Sequence, residues 1–275
     1  MNLVIADYRS ELATQPQAVE ALADDLGPIV SRLDTYGFAI VDFAGDPEAR
    51  DAIQWLAEGL SLGNPVVPAF YRKERSGQFK KEFAEIKADD RGDHPGFSAR
   101  SAQDFHVDGT LDDPEDVPTV VMFCVQEAAS GGASLVFNSA AAFHALRESD
   151  AEAARALTAP KVMRRTASMD GGLSYRDGPA FRVHPDGRVV NRYCEDGITS
   201  WHPAPGDESA LMRALEYLTT ASHDENGPFR ARFVLRRGQA LILRNDKVSH
   251  GREAYEDGPE GPRALVRGVF GRVPR

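Results

Sequence analysis

The chain has 275 residues, with Lys+Arg 32 against Asp+Glu 42 and a formal net charge of −10. A phosphate backbone attracts a basic surface and repels an acidic one, so nucleic acid is excluded as a primary partner. Hydrophobic residues at 42 % and charged residues at 27 % are globular proportions, and the two cysteines, Cys124 and Cys194, exclude a disulfide framework and any CxxC pair.

The N-terminal MNLVIADYRSELATQ has no basic patch ahead of an apolar stretch, and the longest apolar run, VVMFCV at 120–125, is far too short to cross a bilayer. The expectation is a cytoplasmic protein with no membrane partner. Residues 16–35 place Val19, Leu22, Leu26, Ile29, Val30 and Leu33 at helical spacing, which predicts an amphipathic helix split or kinked at Gly27-Pro28. GFAIVDF at 37–43 predicts a strand, and DPEARDAIQWLAEGL a helix behind a capping Asp46.

From 68 to 103 the periodicity breaks into Pro, Gly and charged residues with scattered aromatics, the pattern of an active-site lid. Short apolar runs follow (PTVVMFCVQ, ASLVFNS, KVMRR, AFRVH, RVVNRY, FRARFVLRR, QALILRN, ALVRGVF), separated by turn-forming GG, DGG, PDG and PGD clusters. Two helices interrupt them, near 139–158 and 207–222. The fold class expected is mainly β with flanking helices.

His106 stands out among seven histidines because Asp108 follows two positions later in FHVDGT. In extended chain, residues i and i+2 project from one face, so an imidazole and a carboxylate converge. By itself the pair fits a plain surface or hydrogen-bonding role better than a metal site. His250, just beyond the strand in GQALILRNDKVSHGR, supplies a third donor if a second β-layer brings it opposite. Two histidines and a carboxylate leave three octahedral positions open, which suits a non-haem Fe(II) oxygenase. Arg263 opens RALVRGVF, and in a strand it shares a face with Leu265 and Arg267. Arginines that face inward must meet an anion, and a guanidinium grips a carboxylate bidentately.

FHVDGT, EAASGGASLVF, GQALILRNDKVSHGR and RALVRGVF, in this order over roughly residues 100–275, resemble the TauD/TfdA and clavaminate-synthase-like Fe(II)/2-oxoglutarate-dependent dioxygenases. The resemblance implies a double-stranded β-helix (jelly roll, cupin-like) and one domain over 1–275. It implies that His106, Asp108 and His250 ligate Fe(II), and that Arg263 pairs with the distal carboxylate of 2-oxoglutarate. Ser134, after GGA, matches a position where the family often has a threonine touching the same co-substrate. Arg267 matches a position that contacts the substrate's acidic group or braces the co-substrate; Arg252, in SHGRE, is common near the site, where a structural ion pair explains it equally well. Because Asp108 is retained, oxygen transfer is expected rather than halogenation. The implied reaction consumes dioxygen and 2-oxoglutarate, releases succinate and carbon dioxide, and oxidises a substrate C–H bond. Hydroxylation is the expected outcome, with desaturation or oxidative cyclisation as alternatives; a non-catalytic jelly-roll binding protein is the alternative from another class.

The other histidines lie in polar or loop contexts that suit surface or hydrogen-bonding roles. In the lid, Phe70, Tyr71, Arg72, Lys73, Phe79, Lys80 and Lys81 face the acids of TLDDPED at 110–116 in this reading. Opposed cations and anions suit a zwitterion and equally a plain solvated loop; the expected substrate is a small, amino-acid-like molecule, with Tyr71, Arg252 and Arg267 as its contacts.

Overall fold

The computed structural model describes residues 7–11, 18–21, 25–72, 81–88, 99–169 and 172–275. Ten strands build the framework: β1 (Val19–Glu20), β2 (Phe38–Asp42), β3 (Phe83–Lys87), β4 (Gln103–His106), β5 (Thr119–Gln126), β6 (Ser134–Phe137), β7 (Arg230–Phe233), β8 (Gln239–Arg244), β9 (Ser249–Arg252) and β10 (Ala264–Phe270). The larger sheet runs β1-β2-β8-β5-β10-β3 and the smaller β7-β6-β9-β4. All pairs are antiparallel except β1 with β2.

Alternation along the central strand β5 explains how the sheets stack. Val120, Met122 and Cys124 enter a core shared with Val136, Ala231 and Phe233 of the smaller sheet, while Val121 and Phe123 turn to the opposite face. There they meet Ile29 and Leu33 of α2 (Gly27–Tyr36, after a short α1 at Tyr8–Glu11) and Ile53 and Leu56 of α3 (Ala49–Gly59). A strand covered on both faces reads as a continuous apolar run, which is why VVMFCV is unbroken. Two sheets sharing one interior make the expected jelly roll.

A third core lies in the insert between β6 and β7, where Phe143 and Phe181 stack at 4.4 Å. The helix predicted over 139–158 is two helices, α5 (Ser139–Ser149) and α6 (Ala151–Ala156), after the four-residue α4 (Ala69–Arg72). Asp150 divides them by accepting the Ala153 N–H at 3.0 Å as a cap. The helix predicted at 207–222 is α7 (Glu208–His223).

Other expectations shift. Val19 lies in β1 and pairs with Val41, and the helix begins at Gly27 because Pro28 suits a first turn; residues 16–17 and 22–24 of the predicted helix lie outside the described residues. Glu48 rather than Asp46 caps α3, accepting from the Arg50 N–H, while Asp46 pairs with Arg237. Within the predicted lid, residues 73–80 and 89–98, including Lys73, Phe79 and Lys80, lie outside the described residues; between them β3 forms an edge strand on β10. The RALVRGVF strand starts at Ala264, one residue after Arg263, with a register shift between Ala264 and Leu265.

The two sheet elements that matter most approach closely at Gly251. A Cβ there would sit 2.6 Å from the Gln103 carbonyl oxygen on β4. Gly251→Ala should therefore push β9 from β4 and cost about 1–3 kcal/mol, as overpacking does, measurable by denaturant unfolding; wild-type stability would mean the strands can separate freely.

Candidate functional site

β4 carries His106 and β9 carries His250, and the two are direct cross-strand partners. Their rings are 4.4 Å apart, centroid to centroid, inclined at 45°. Asp108 follows the end of β4, and one ligand atom from each of His106, Asp108 and His250 lies within 4.8 Å of the others, the one such group of His, Cys, Asp or Glu among the described residues. The His106 Nδ1 is 2.9 Å from the Asp104 carbonyl. That oxygen can only accept, so Nδ1 carries the hydrogen and Nε2 keeps its lone pair for a metal. Asp108 Oδ2 and His250 Nδ1 are buried without hydrogen-bond partners. Buried polar atoms are normally satisfied. Orphans from two members of one three-residue cluster fit a centre built for a cation.

The electrostatics favour the ligand forms. Burial by itself would raise the Asp108 pKa, but Arg267, then His250, His106 and Arg165, overcome it and hold the group below the usual carboxylate range. The closest is Arg267, whose Nη1 donates to Asp108 Oδ1 at 2.6 Å. Burial, followed by His106, pushes His250 down to about 3 despite Asp108. The imidazole is therefore neutral near pH 7, as ligation requires.

Three supports were not picked out from the sequence. Asn245, in the turn between β8 and β9, accepts the Asp108 N–H at 2.9 Å and donates to the carbonyls of Asp108 and Val117. Its place in LRNDKVSH, close ahead of His250, is the signal that could have found it. Arg165, from the insert, donates to the Val107 carbonyl at 2.8 Å and to Asp196 at 2.6 Å. Cys194 Sγ receives the Val107 N–H at 3.3 Å. Nothing local in the sequence marks either, because both reach the site across the insert.

The predicted cations occupy two places. Arg263 and Arg252 are 6 % and 4 % exposed, and both guanidiniums lie over the Tyr255 ring, at 5.3 and 4.6 Å. Arg252 donates to the carbonyls of Ala99 and Ser101, leaving Nη1 buried and unpartnered. The Arg263 guanidinium has no hydrogen bond or ion pair among the described residues; its backbone N–H binds Asp257. A Cβ on Gly132 would be 3.4 Å from Arg263 Nε, so the GGA turn lets this arginine lie against the chain just ahead of Ser134. Ser134 is buried on β6 opposite Arg252. Arg267 is on the inward face of β10, bound to Asp108 and hydrogen-bonded to Tyr71 of α4.

The acids of TLDDPED are already engaged. Both Asp112 oxygens accept the Ala69 N–H at 2.9 Å; Asp113 pairs with Arg176 and Arg182, and Glu115 with Arg182, Arg188 and His184. They hold the loop to the insert and to α4.

The family described as "Taurine catabolism dioxygenase TauD, TfdA family" matches residues 11–269. A uridine-5'-phosphate dioxygenase from Amycolatopsis sp. is 39 % identical over 279 residues, covering 100 % of this chain and 99 % of the relative. Another of that name, from Streptomyces sp., is 32 % identical over 280 residues, with coverage of 100 % and 99 %. Among solved structures, an asparagine oxygenase in complex with Fe(II), 2S,3S-3-hydroxyasparagine and succinate superposes with a TM-score of 0.60 at 16 % identity, covering 97 % of this chain and 90 % of that one. The non-heme iron oxygenase OrfP in complex with Fe and alpha-ketoglutaric acid gives 0.61 at 15 % identity, covering 86 % and 76 %. These structural likenesses carry the fold.

Replacing Asn245 by Ala frees the Asp108 backbone and should weaken Co(II) binding, followed by its absorption bands, by about 10- to 100-fold, the effect of removing an outer-shell support. An unchanged affinity would show that Asp108 holds its place without it.

Proposed function

The chain belongs to the TauD/TfdA dioxygenase family, and on that premise we propose that it oxidises a nucleotide of the uridine-5'-phosphate class, with His106, Asp108 and His250 as the Fe(II) ligands. It is an Fe(II)- and 2-oxoglutarate-dependent oxygenase acting on a small molecule. Bound together, iron and 2-oxoglutarate supply the oxidation of a substrate C–H bond by dioxygen, with succinate and carbon dioxide released.

The chain's own residues take the following parts in this reading. Arg263 grips the distal carboxylate of 2-oxoglutarate, with the Ser134 hydroxyl beside it and Arg252 bracing the arginine across Tyr255. Arg267 holds Asp108 Oδ1, so that Oδ2 is left for the metal, and with Tyr71 forms the wall that meets the substrate.

The observation that carries the substrate class is the state of the charges. Asp112, Asp113 and Glu115 are spent on internal partners, so the more buried acids of that loop are not free for the ammonium of an amino acid. Among the described residues, Arg252, Arg263 and Arg192 are instead buried without a carboxylate on their guanidiniums. Buried cations in excess suit ligands that are anionic throughout. A nucleoside monophosphate is one, and the relatives at 39 % and 32 % identity carry the name of one. No helix among the described residues is long and apolar enough to cross a membrane.

With Fe(II), 2-oxoglutarate and air, uridine-5'-phosphate should stimulate succinate formation well above the substrate-free rate, whereas asparagine and arginine should not. Stimulation by an amino acid alone would overturn the nucleotide reading. Mass spectrometry of the product separates a gain of one oxygen from a loss of two hydrogens. Arg263→Ala should raise the KM for 2-oxoglutarate by about tenfold or more, the usual loss for a charged hydrogen-bond partner; an unmoved KM would assign the carboxylate to another residue.

A further inference from the structure

Beside the loop that follows the metal ligands lies a separate cavity of about 230 Å3, lined by Arg176, Arg182, Arg192, Asp113, Asp177 and Pro179 among others. Its volume is several times the roughly 30 Å3 of one liquid water. Arg176 and Arg182 are 40 % and 38 % exposed at its rim, whereas Arg192 is 4 % exposed and belongs to its floor. The acids present are matched already: Asp113 by Arg176 and Arg182, and Asp177 by Arg164 at 2.6 Å.

Arg192 is not matched. Its Nη1 donates to the Met163 carbonyl at 3.4 Å and its Nη2 to the Arg176 carbonyl at 2.9 Å, and no carboxylate touches it. Burial first, then the neighbouring Arg165 and Arg176, hold its pKa down to about 10 against the opposite pull of Cys194 and Asp113, so it remains a cation. Carbonyl dipoles solvate a guanidinium without cancelling its charge, and a buried charge without a counter-charge is costly. Gly178 keeps one side of it clear: a Cβ there would stand 3.0 Å from Arg192 Nη1.

We propose that this cavity is an oxyanion subsite, separate from the metal centre and from Arg263, that takes a phosphate group through Arg192 with Arg176 and Arg182 at the rim. A phosphate oxygen would accept from the guanidinium fork and supply the missing negative charge. The group is either the phosphate of the nucleotide, which rests on the reading above, or inorganic phosphate. Proximity allows the first. Asp113 on the cavity wall is five residues past Asp108, and Arg165, bonded to the carbonyl between the two β4-side ligands, is Arg192's neighbour.

The test uses the full chain with Fe(II) and 2-oxoglutarate under argon, as wild type, Arg192→Gln and Gly178→Ala, each checked for fold by circular dichroism. Inorganic phosphate is titrated calorimetrically, and the KM for uridine-5'-phosphate is measured separately in air. Phosphate binding weakened about tenfold or more in the variants, with KM unmoved, supports the subsite with free phosphate as occupant. A KM for uridine-5'-phosphate raised by a similar factor, with the KM for 2-oxoglutarate unchanged, supports it with the nucleotide as occupant. Phosphate binding and KM equal to wild type in the folded variants, or no phosphate binding by wild type together with unmoved KM, overturns the proposal. Gly178→Ala keeps every charge and decides the matter if Arg192→Gln does not fold. Because the titration needs no turnover, failure of the nucleotide reading leaves its result intact.

Discussion

A carboxylate removed from water must be answered by positive charge, and Asp108 is answered across the interior by Arg267 from the opposite sheet. This ion pair ties the two layers together where the candidate metal ligands converge. Because Arg267 takes Oδ1, the second oxygen is left without a partner, alongside the unpartnered nitrogen of His250. The same arginine bonds Tyr71 on α4, and α4 is held at its start by Asp112 on the loop beyond Asp108. Carboxylate, lid root and loop thus form a closed circuit of contacts around the centre.

The net charge of −10 describes the chain as a whole and hides an interior of the opposite sign. Arg192, Arg252 and Arg263 are buried with main-chain carbonyls or an aromatic ring for company rather than carboxylates. Folding tolerates this because carbonyl dipoles and a π face replace part of the lost hydration. What they leave uncancelled is net positive charge at these positions. Asp112, Asp113 and Glu115, close after the metal motif, do not offset it, since each is consumed by an internal donor.

Much of the fold was legible because short-range rules govern it. The VVMFCV run, the GFAIVDF strand and the amphipathic helix at 208–223 appear where periodicity places them. The misreadings occurred where longer-range partners overrode local pattern. Val19 joins a strand because β2 offers it an edge, Phe83–Lys87 forms a strand inside an irregular segment because β10 offers another, and Arg237 draws Asp46 away from the helix it would have capped.

For the centre, the candidate donors were legible because a two-residue offset in extended chain and a histidine on a returning strand are local features, and the family was legible through the resemblance of the combined motifs. Tertiary structure alone decided which charges are spent and which remain. TLDDPED and the cations of the predicted lid look in one dimension like opposed charges awaiting a zwitterion. In three dimensions the acids pair instead with arginines of the insert, because Asp113 and Glu115 lie within hydrogen-bond reach of Arg176, Arg182 and Arg188, while the guanidiniums of Arg192 and Arg263 have no hydrogen bond to a carboxylate among the described residues. Charge pairing acts over a few ångströms between residues tens of positions apart, a distance that the chain's linear order does not encode.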